Sequence, residues 1–502
     1  MSLSIVHSRA EVGIQAPAVR VEVHVAGGLP GLTIVGLPNS GVREAKDRVR
    51  AAIQTSGFKL PPRRITVNLA PADLPKDGAR FDLAIALGIL QASGQLDADL
   101  EACEFVAELS LSGGLRAVSG VLAATLAAKS VQHAIVVPAQ SAAEAALTQH
   151  PGARQAEHLL EVCEALTGQR QWTTAKRAHG HAIEPAHTAS DFAEVRGQSR
   201  AKRALEIAAS GHHNVLMLGP PGSGKSMLAQ RFPGICPALT EQQAIELASV
   251  QSTMGASFDP AQWRRVPFRS PHHSCSAAAL VGGGSHPKPG EISLAHHGTL
   301  FLDELPEFNR HVLEVLREPL ETGQIHLSRA RQRVTYPARF QLIAAMNPCP
   351  CGYLGDSSAR CHCSAEQVQR YRQRISGPLL DRVDLQLSVP RLPGADMLKP
   401  DHQGAETSAT IRQRVEAARQ RQYARRGKCN SQLSATELAE DCRLDSTTQA
   451  LLSQAAERLQ LSGRGLHRVL KVARSIADLG GHDDISSAHV AEALQYRQIT
   501  AA

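Results

Sequence analysis

From Val19 to Val25, valines alternate with Arg20, Glu22 and His24, the two-residue period of a half-buried strand. Gly27-Gly28 and Pro30-Gly31 punctuate the run. Ser40 is placed to cap a helix in which Val42, Ala45, Val49 and Ile53 recur at helical spacing. Ile65–Leu69 and Ala134–Val137 are further apolar runs of strand length. Together they predict one α/β domain over residues 1–168. Residues 169–191 lose every apolar period and predict a linker. Its His179, His181 and His187 offer metal ligands, but solvated side chains are the better reading. Residues 192–392 carry short continuous apolar runs, the mark of buried parallel strands, and predict a second α/β unit. From 393 to 502 the pattern is helical. Leu438, Leu444, Leu451, Leu452, Leu459 and Leu461 supply a core to a sequence rich in Arg, Gln and Ala. No internal repeat is found.

Composition narrows the class. The chain has 502 residues, enough for about three domains. With 43% hydrophobic, 20% charged and only 3% aromatic residues, its cores must rest on Ala, Leu, Val and Ile. A net charge of +7 tilts it mildly toward polyanions and does not by itself select nucleic acid. The opening MSLSIVHSRAEVG has no apolar h-region, and no run is long enough to span a membrane. Ten cysteines without a secretion signal predict reduced thiols and a cytoplasmic protein.

The chemistry centres on an ATP site. The apolar run Asn214–Leu218 enters Gly219-Pro220-Pro221-Gly222-Ser223-Gly224-Lys225-Ser226, which fits G-x-x-x-x-G-K-[ST] at every fixed position. Glycines let backbone N–H groups curl around phosphate oxygens, and the helix that follows turns its positive end toward them. Lys225 is expected on the β and γ phosphates, and the Ser226 hydroxyl on Mg²⁺. Thr299–Leu302 ends in Asp303-Glu304. Asp303 can hold Mg²⁺ through water, and Glu304 can polarise the attacking water. Gln341–Met346 ends at Asn347, which can position that water; an Asn opening a turn before Pro348 is the competing reading. Arg382, after Gly377-Pro378-Leu379-Leu380-Asp381, and Arg464, in Ser462-Gly463-Arg464-Gly465, are candidate cations for the transferred phosphoryl group, set against ordinary surface ion pairs. An arginine supplied in trans is worth about 10³–10⁵ in rate, and requires an oligomer.

Cys349, Cys351, Cys361 and Cys363 read C-x-C-x₉-C-x-C, four thiolates that can close a tetrahedral structural Zn²⁺ site; unligated thiols are the alternative. Arg412, Arg414, Arg419, Arg421, Arg425, Arg426 and Lys428 predict a dense basic helix, read as solvated or intersubunit.

The run PHHSCSAAALVGGGSHPKPGEISLAHHGTLFLDELPEF, with NPCPCGYLGD and RISGPLLDRVDL, closely resembles the YifB/ComM family of magnesium chelatase-like AAA+ proteins. The resemblance spans nearly the whole chain. It implies an AAA+ core with a parallel sheet, a helical C-terminal lid and a hexameric ring. Within it, Asn347 looks like sensor 1, Arg382 like the arginine finger and Arg464 like sensor 2. ComM-type members imply a DNA helicase that drives branch migration on single-stranded and branched DNA during natural transformation. The chelatase clade implies instead an ATPase that remodels a protein partner. The N-terminal domain resembles the Lon protease fold along Leu74–Phe81, but Arg80 stands at the nucleophile position and Leu122 at the dyad lysine position, so no peptidase activity is expected. Lys46, Arg48, Arg50, Lys59, Arg63 and Arg64 are candidate DNA contacts there, against a ring-assembly role. Two loops correspond to pore-facing family positions. One is Gly282–Lys288, and the other the basic tip Ser328–Arg333 of a hairpin; Lys288, Arg329 and Arg331 are the expected DNA contacts.

Overall fold

The computed structural model describes residues 2–37, 39–176, 190–255, 258–284, 287–329, 332–355, 360–392 and 405–497. His179, His181 and His187 lie outside them. The fold is α/β, with two strand-and-helix units and a helical C-terminal region.

The first sheet has eight strands: β1 (Ser2–Arg9), β2 (Ala18–Ala26), β3 (Gly31–Val35), β4 (Arg64–Ala70), β5 (Cys103–Phe105), β8 (Ala134–Pro138), β9 (Ala153–Ala156) and β10 (Thr173–Thr174), while β6 (Glu108–Leu109) and β7 (Leu115–Arg116) form a small separate ladder. The spatial order is β10-β9-β8-β5-β1-β2-β4-β3. The valine alternation sets the register: Val19, Val21, Val23 and Val25 are buried, and β2 pairs antiparallel with both β1 and β4. The helix Ser40–Thr55 buries Val42, Ala45, Val49 and Ile53 as the spacing predicts. Its cap is Asn39 rather than Ser40, because the Asn39 Oδ1 accepts from Val42 N at 2.9 Å. The predicted linker is also shorter than its sequence suggests. Thr173 and Thr174 pair with Gln155 and Arg154 as an edge strand too brief to show a period, and Trp172 packs on the first core.

The second sheet joins β11 (Val215–Leu218), β12 (Phe268–Arg269), β15 (Thr299–Leu302), β18 (Gln341–Met346) and β19 (Leu385–Ser388), all parallel, in the order β12-β15-β18-β11-β19. Each of the six β18 residues is buried, which is why Leu342–Met346 read as a continuous apolar run, and the amide of the polar Gln341 donates to the Ala208 and His213 carbonyls. Two ladders stand off this sheet: β13 (Gly282–Gly283) with β14 (Lys288–Pro289), and the hairpin β16 (Gln324–Arg329) with β17 (Gln332–Pro337). In the C-terminal region Leu438 and Leu452 are buried, and Leu444, Leu451, Leu459 and Leu461 pack around them. The basic helix Ser408–Arg426 departs from expectation. Arg414 bonds Glu206 and Glu406, Arg419 the Ala209 carbonyl, Arg425 Asp478, and Arg426 Asp441. Arg414 and Arg419 fasten this helix to the second unit, and Arg425 and Arg426 fasten it to the other C-terminal helices, a use that a charge run alone does not reveal.

The first unit is tied to the second by an apolar cluster of Leu122, Leu147, Leu239, Leu247 and Trp263. The Glu144 carboxylate accepts from Leu122 N at 3.0 Å and from the Ser252 hydroxyl across the same seam. Leu122 is thus an interface residue. Arg80, almost fully buried, donates to the Ser119 carbonyl at 2.7 Å and pairs with Glu11. Arg48 is engaged with the buried Asp82 at 2.7 Å. Among the described residues, no helix is long and apolar enough to cross a membrane.

Candidate functional site

β11, β15 and β18 are neighbours, so their C-terminal ends deliver three loops to one place, at the point where β11 separates β18 from β19. The loop after β11 turns on Gly222 and Gly224 at φ +74° and +94°. A Cβ at Gly219 would stand 2.2 Å from the Val389 carbonyl oxygen, so only glycine fits where the loop leaves the sheet. Lys225 opens the helix Lys225–Arg231 and is buried. Its Nζ donates to the carbonyls of Gly219 (2.6 Å) and Pro220 (3.0 Å) and to the Asn347 Oδ1 (3.2 Å). Burial lowers the Lys225 ammonium from its ordinary range, and the Asp303 and Glu304 charges oppose that shift.

Asp303 and Glu304 follow β15 directly. The Ser226 hydroxyl donates to Asp303 Oδ2 at 2.5 Å. These two oxygens are therefore positioned as a pair, which fits the shared Mg²⁺ ligation that the sequence predicts. Glu304 has φ +52°, and its carboxylate lies 3.3 Å from His273 Nδ1. That φ is unusual for a non-glycine residue and turns Glu304 out of the strand direction. His273 was not foreseen. It reaches Glu304 because β12 pairs beside β15, and the chain leaving β12 runs His272-His273 past the end of β15. The available signal was a pair of adjacent histidines just beyond a short strand.

Arg382 lies elsewhere. β19 runs parallel to β11 with Leu385 opposite Val215 and Ser388 opposite Leu218. Arg382 precedes the N-terminal end of β19, whereas the phosphate loop leaves the C-terminal end of β11. A four-residue strand, about 13 Å at 3.3 Å per residue, separates the two. Arg382 donates to the Pro378 carbonyl at 2.5 Å and pairs with Glu321. Around it opens a cleft of about 910 Å³ lined by Arg339, Arg419, Arg468 and Lys471 among others. The Arg468 guanidinium bonds Asp384 at 2.5 Å. Burial alone would raise the Asp384 carboxyl, but His213 and Arg468 outweigh it and hold it below the usual carboxylate range. Arg464 is exposed one turn earlier on the same helix, Gly463–Gly480, whose cap Ser462 accepts from Gly465 N at 3.1 Å. Four-residue spacing puts Arg464 on the Arg468 side of that helix, toward the Arg382 cleft.

On the wall of that cleft, Glu246 meets His297 Nε2 at 2.7 Å, and it meets His296 Nε2 at 3.3 Å. The three ligand atoms are close enough to suggest a metal site. The hydrogen bonds argue otherwise. The Arg339 N–H donates to His296 Nδ1 at 3.0 Å, so the neutral ring carries its proton on Nε2, the atom that faces Glu246. The trio is a hydrogen-bonded strut.

The two basic loops adjoin. Lys288 is exposed on β14, and the buried Tyr336 of β17 donates its hydroxyl to the Pro287 carbonyl at 2.8 Å. Arg329 ends β16; its side chain and the whole of Arg331 lie outside the described residues.

Of the four clustered cysteines, Cys349 is buried and the others half-buried. Cys349 Sγ is 3.3 Å from Cys351 Sγ and 3.8 Å from Cys361 Sγ, and the latter two are 3.7 Å apart. Cys363 completes a set within 4.8 Å. A sulfur–sulfur bond is about 2.05 Å, so none of the three measured pairs is a disulfide. Tetrahedral zinc at about 2.3 Å from each sulfur needs sulfurs about 3.8 Å apart, which two of the three measured pairs match.

Family comparisons agree with this architecture. The description "Subunit ChlI of Mg-chelatase" matches residues 21–141, "Magnesium chelatase, subunit ChlI" residues 191–397, and "Magnesium chelatase, subunit ChlI C-terminal" residues 405–497. Competence protein ComM of Haemophilus influenzae is 51% identical over 500 residues, covering 99% of this chain and 98% of that protein. YifB of Escherichia coli is 49% identical over the same length, with the same coverage. The magnesium-chelatase 38 kDa subunit of Cereibacter sphaeroides is 25% identical over 179 residues, which is 31% of this chain and 52% of that subunit.

Proposed function

Since the chain belongs to the ComM/YifB family of magnesium chelatase-like AAA+ proteins, we propose that it is a Mg²⁺-dependent ATPase that works as a hexameric ring on DNA, promoting branch migration during recombination and natural transformation. The observation that carries the ATPase is the convergence of Lys225, Ser226, Asp303 and Asn347 through hydrogen bonds of 2.5 and 3.2 Å. The backbone N–H groups from Gly222 to Lys225 would cradle the phosphates, Pro220 and Pro221 having none to offer, and Lys225 would exchange its loop carbonyls for the β and γ oxygens. Ser226 and Asp303 would hold the Mg²⁺, which when bound neutralises charge on the transferred phosphoryl group. Glu304 polarises the attacking water, and Asn347 orients it. His273 positions Glu304.

The distance between Arg382 and its own phosphate loop supports the ring reading. Arg382 and Arg464 serve the ATP of a neighbouring copy, which docks over the cleft around Arg382. The four cysteines hold a structural zinc ion with no open ligand position.

The DNA role rests on two supports. One is the hydrogen bond from Tyr336 of the β16–β17 hairpin to the Pro287 carbonyl, which sets the exposed Lys288 beside the hairpin whose basic tip residues, Arg329 and Arg331, are the expected phosphate contacts. The other is the full-length similarity to a protein named for competence. A chelatase-like protein remodeller is the second reading, favoured by the three family descriptions. The partial match to the chelatase subunit makes it the weaker one.

ATP turnover with and without single-stranded and branched DNA separates the two, with Glu304→Gln as the blank. A DNA motor is stimulated, with a steep salt dependence, and loses the stimulation when Arg329 and Arg331 are changed together. A rate indifferent to every DNA tested would discard the motor in favour of the remodeller.

A further inference from the structure

One residue of the cysteine loop touches the ATP site. Gly352 has φ +85°, and a Cβ there would stand 2.7 Å from Pro221 Cδ and 3.8 Å from Asn347 Cγ. Its N–H donates to the Cys349 carbonyl at 3.0 Å. The backbone pressed against the phosphate loop is therefore the end of the turn Cys349–Gly352, which carries Cys349 and Cys351.

The rest of the loop returns to the same place. Cys361 and Cys363 lead to Ser364, which caps the helix Ala365–Arg372. In that helix the buried Tyr371 lies at the Asn347 backbone. Asn347 in turn accepts from Lys225 at 3.2 Å. The phosphate loop at Pro221 and the amide that meets Lys225 thus both lean on a segment that has no helix or strand among its described residues between β18 and Ala365. A connection longer than about 12–15 residues is rarely ordered without a cross-link or a core of its own. Leu354, between Cys351 and Cys361, is exposed. The segment's described residues are gathered by the four clustered sulfurs, with Arg360 lying over the Tyr353 ring at 5.8 Å.

We propose that the zinc-loaded cysteine knuckle is a brace for the nucleotide site, so that metal occupancy sets ATP affinity and turnover. It does so by fixing Gly352 against Pro221 and holding the Asn347 amide toward Lys225. This rests on the ATP-site and zinc readings above. The zinc is structural: four sulfurs fill its coordination, and its effect reaches ATP through the backbone of Gly352.

The test uses the full-length protein purified with reductant and zinc. Elemental analysis is expected to find about one zinc per chain, and cobalt substitution to give the visible bands of a tetrahedral tetrathiolate site. Binding of a fluorescent ATP analogue is then compared across three variants. Cys363→Ser should lose the metal and bind the analogue about tenfold or more weakly. Gly352→Ala should keep the metal, because its sulfurs are untouched, yet weaken ATP binding to a similar degree. This second variant carries the test even where Cys363→Ser fails to fold. Lys225→Ala should keep the metal and lose ATP, which checks the ATP site independently of the brace. Absence of both zinc and the cobalt bands in wild type would overturn the metal. Wild-type ATP affinity in Gly352→Ala and in folded, zinc-stripped protein would overturn the brace.

Discussion

The two ends of the five-stranded parallel sheet carry complementary sets of side chains. At the C-terminal end, Lys225, Ser226, Asp303 and Asn347 are linked by hydrogen bonds, with Glu304 beside them. At the N-terminal end, a cleft holds Arg382, Arg468, Lys471 and Arg339, with Arg464 one turn away on the Arg468 helix. The first has the glycine loop and the carboxylate to which phosphate binding and water activation are assigned in the proposed function. The second has surplus positive charge. Parallel strands cannot fold one end onto the other. The difference is what supports the proposal that the reacting unit is an interface between copies, with each chain contributing opposite ends of its sheet to two different sites.

The largest effects fall at the loop end. Lys225→Ala should abolish ATP binding. Glu304→Gln should retain binding but slow turnover by about 10³-fold or more, read in single-turnover assays. Equal turnover in Glu304→Gln would remove it from the water-activating role. Next comes the cleft end. Arg382→Ala should leave the affinity of the isolated chain for ATP unchanged while lowering turnover of the assembly by about 10³-fold. A loss of affinity in the monomer would place Arg382 in its own chain's site instead.

A smaller effect sharpens the same contrast. Arg382 pairs with the half-exposed Glu321, and a pair of that exposure is worth about 0–1 kcal/mol. Glu321→Gln should therefore release the guanidinium and raise turnover of the assembly by up to about fivefold. An unchanged rate would mean that the pair does not restrain Arg382.

The smallest effect concerns pH. Burial lowers the His296 imidazole from 6.5 to about 4, with the Glu246 hydrogen bond opposing it. The unfolded chain takes up this proton below pH 6.5 and the folded one only near pH 4, so the stability from neutral His296 is full above pH 6.5 and falls as pH drops through that window. At pH 5 the loss is about 2 kcal/mol, measured by denaturant titration. His296→Gln should flatten the slope between pH 6.5 and 5, and an unchanged slope would assign it to other groups.

Both ends differ in how legible they were. The loop end was readable because each of its groups closes an apolar strand, and strand ends announce themselves by a break in hydrophobicity. Lys225, Ser226, Asp303 and Asn347 meet as the motif spacing suggests. The fold class was readable for the same reason, from the period-two valines of β2 and the unbroken β18. His273 was hidden, because its pairing with Glu304 depends on β12 lying beside β15, a fact of sheet order rather than of sequence. The clamp made by the basic helix was hidden likewise. Arg414, Arg425 and Arg426 find acids that are distant along the chain or on other helices, and composition cannot tell a clamped charge from a solvated one. The contact between Gly352 and Pro221 joins two loops far apart in the chain, and leaves no trace in either motif.

The most direct test of the split site is complementation. Lys225→Ala and Arg382→Ala chains, each inactive alone, are mixed and their ATPase measured after co-assembly is verified by size. Recovery of activity is predicted, because a wild-type phosphate loop in the Arg382→Ala chain then meets an intact Arg382 from its neighbour. Mixed rings that assemble yet stay as inactive as either parent would contradict the account.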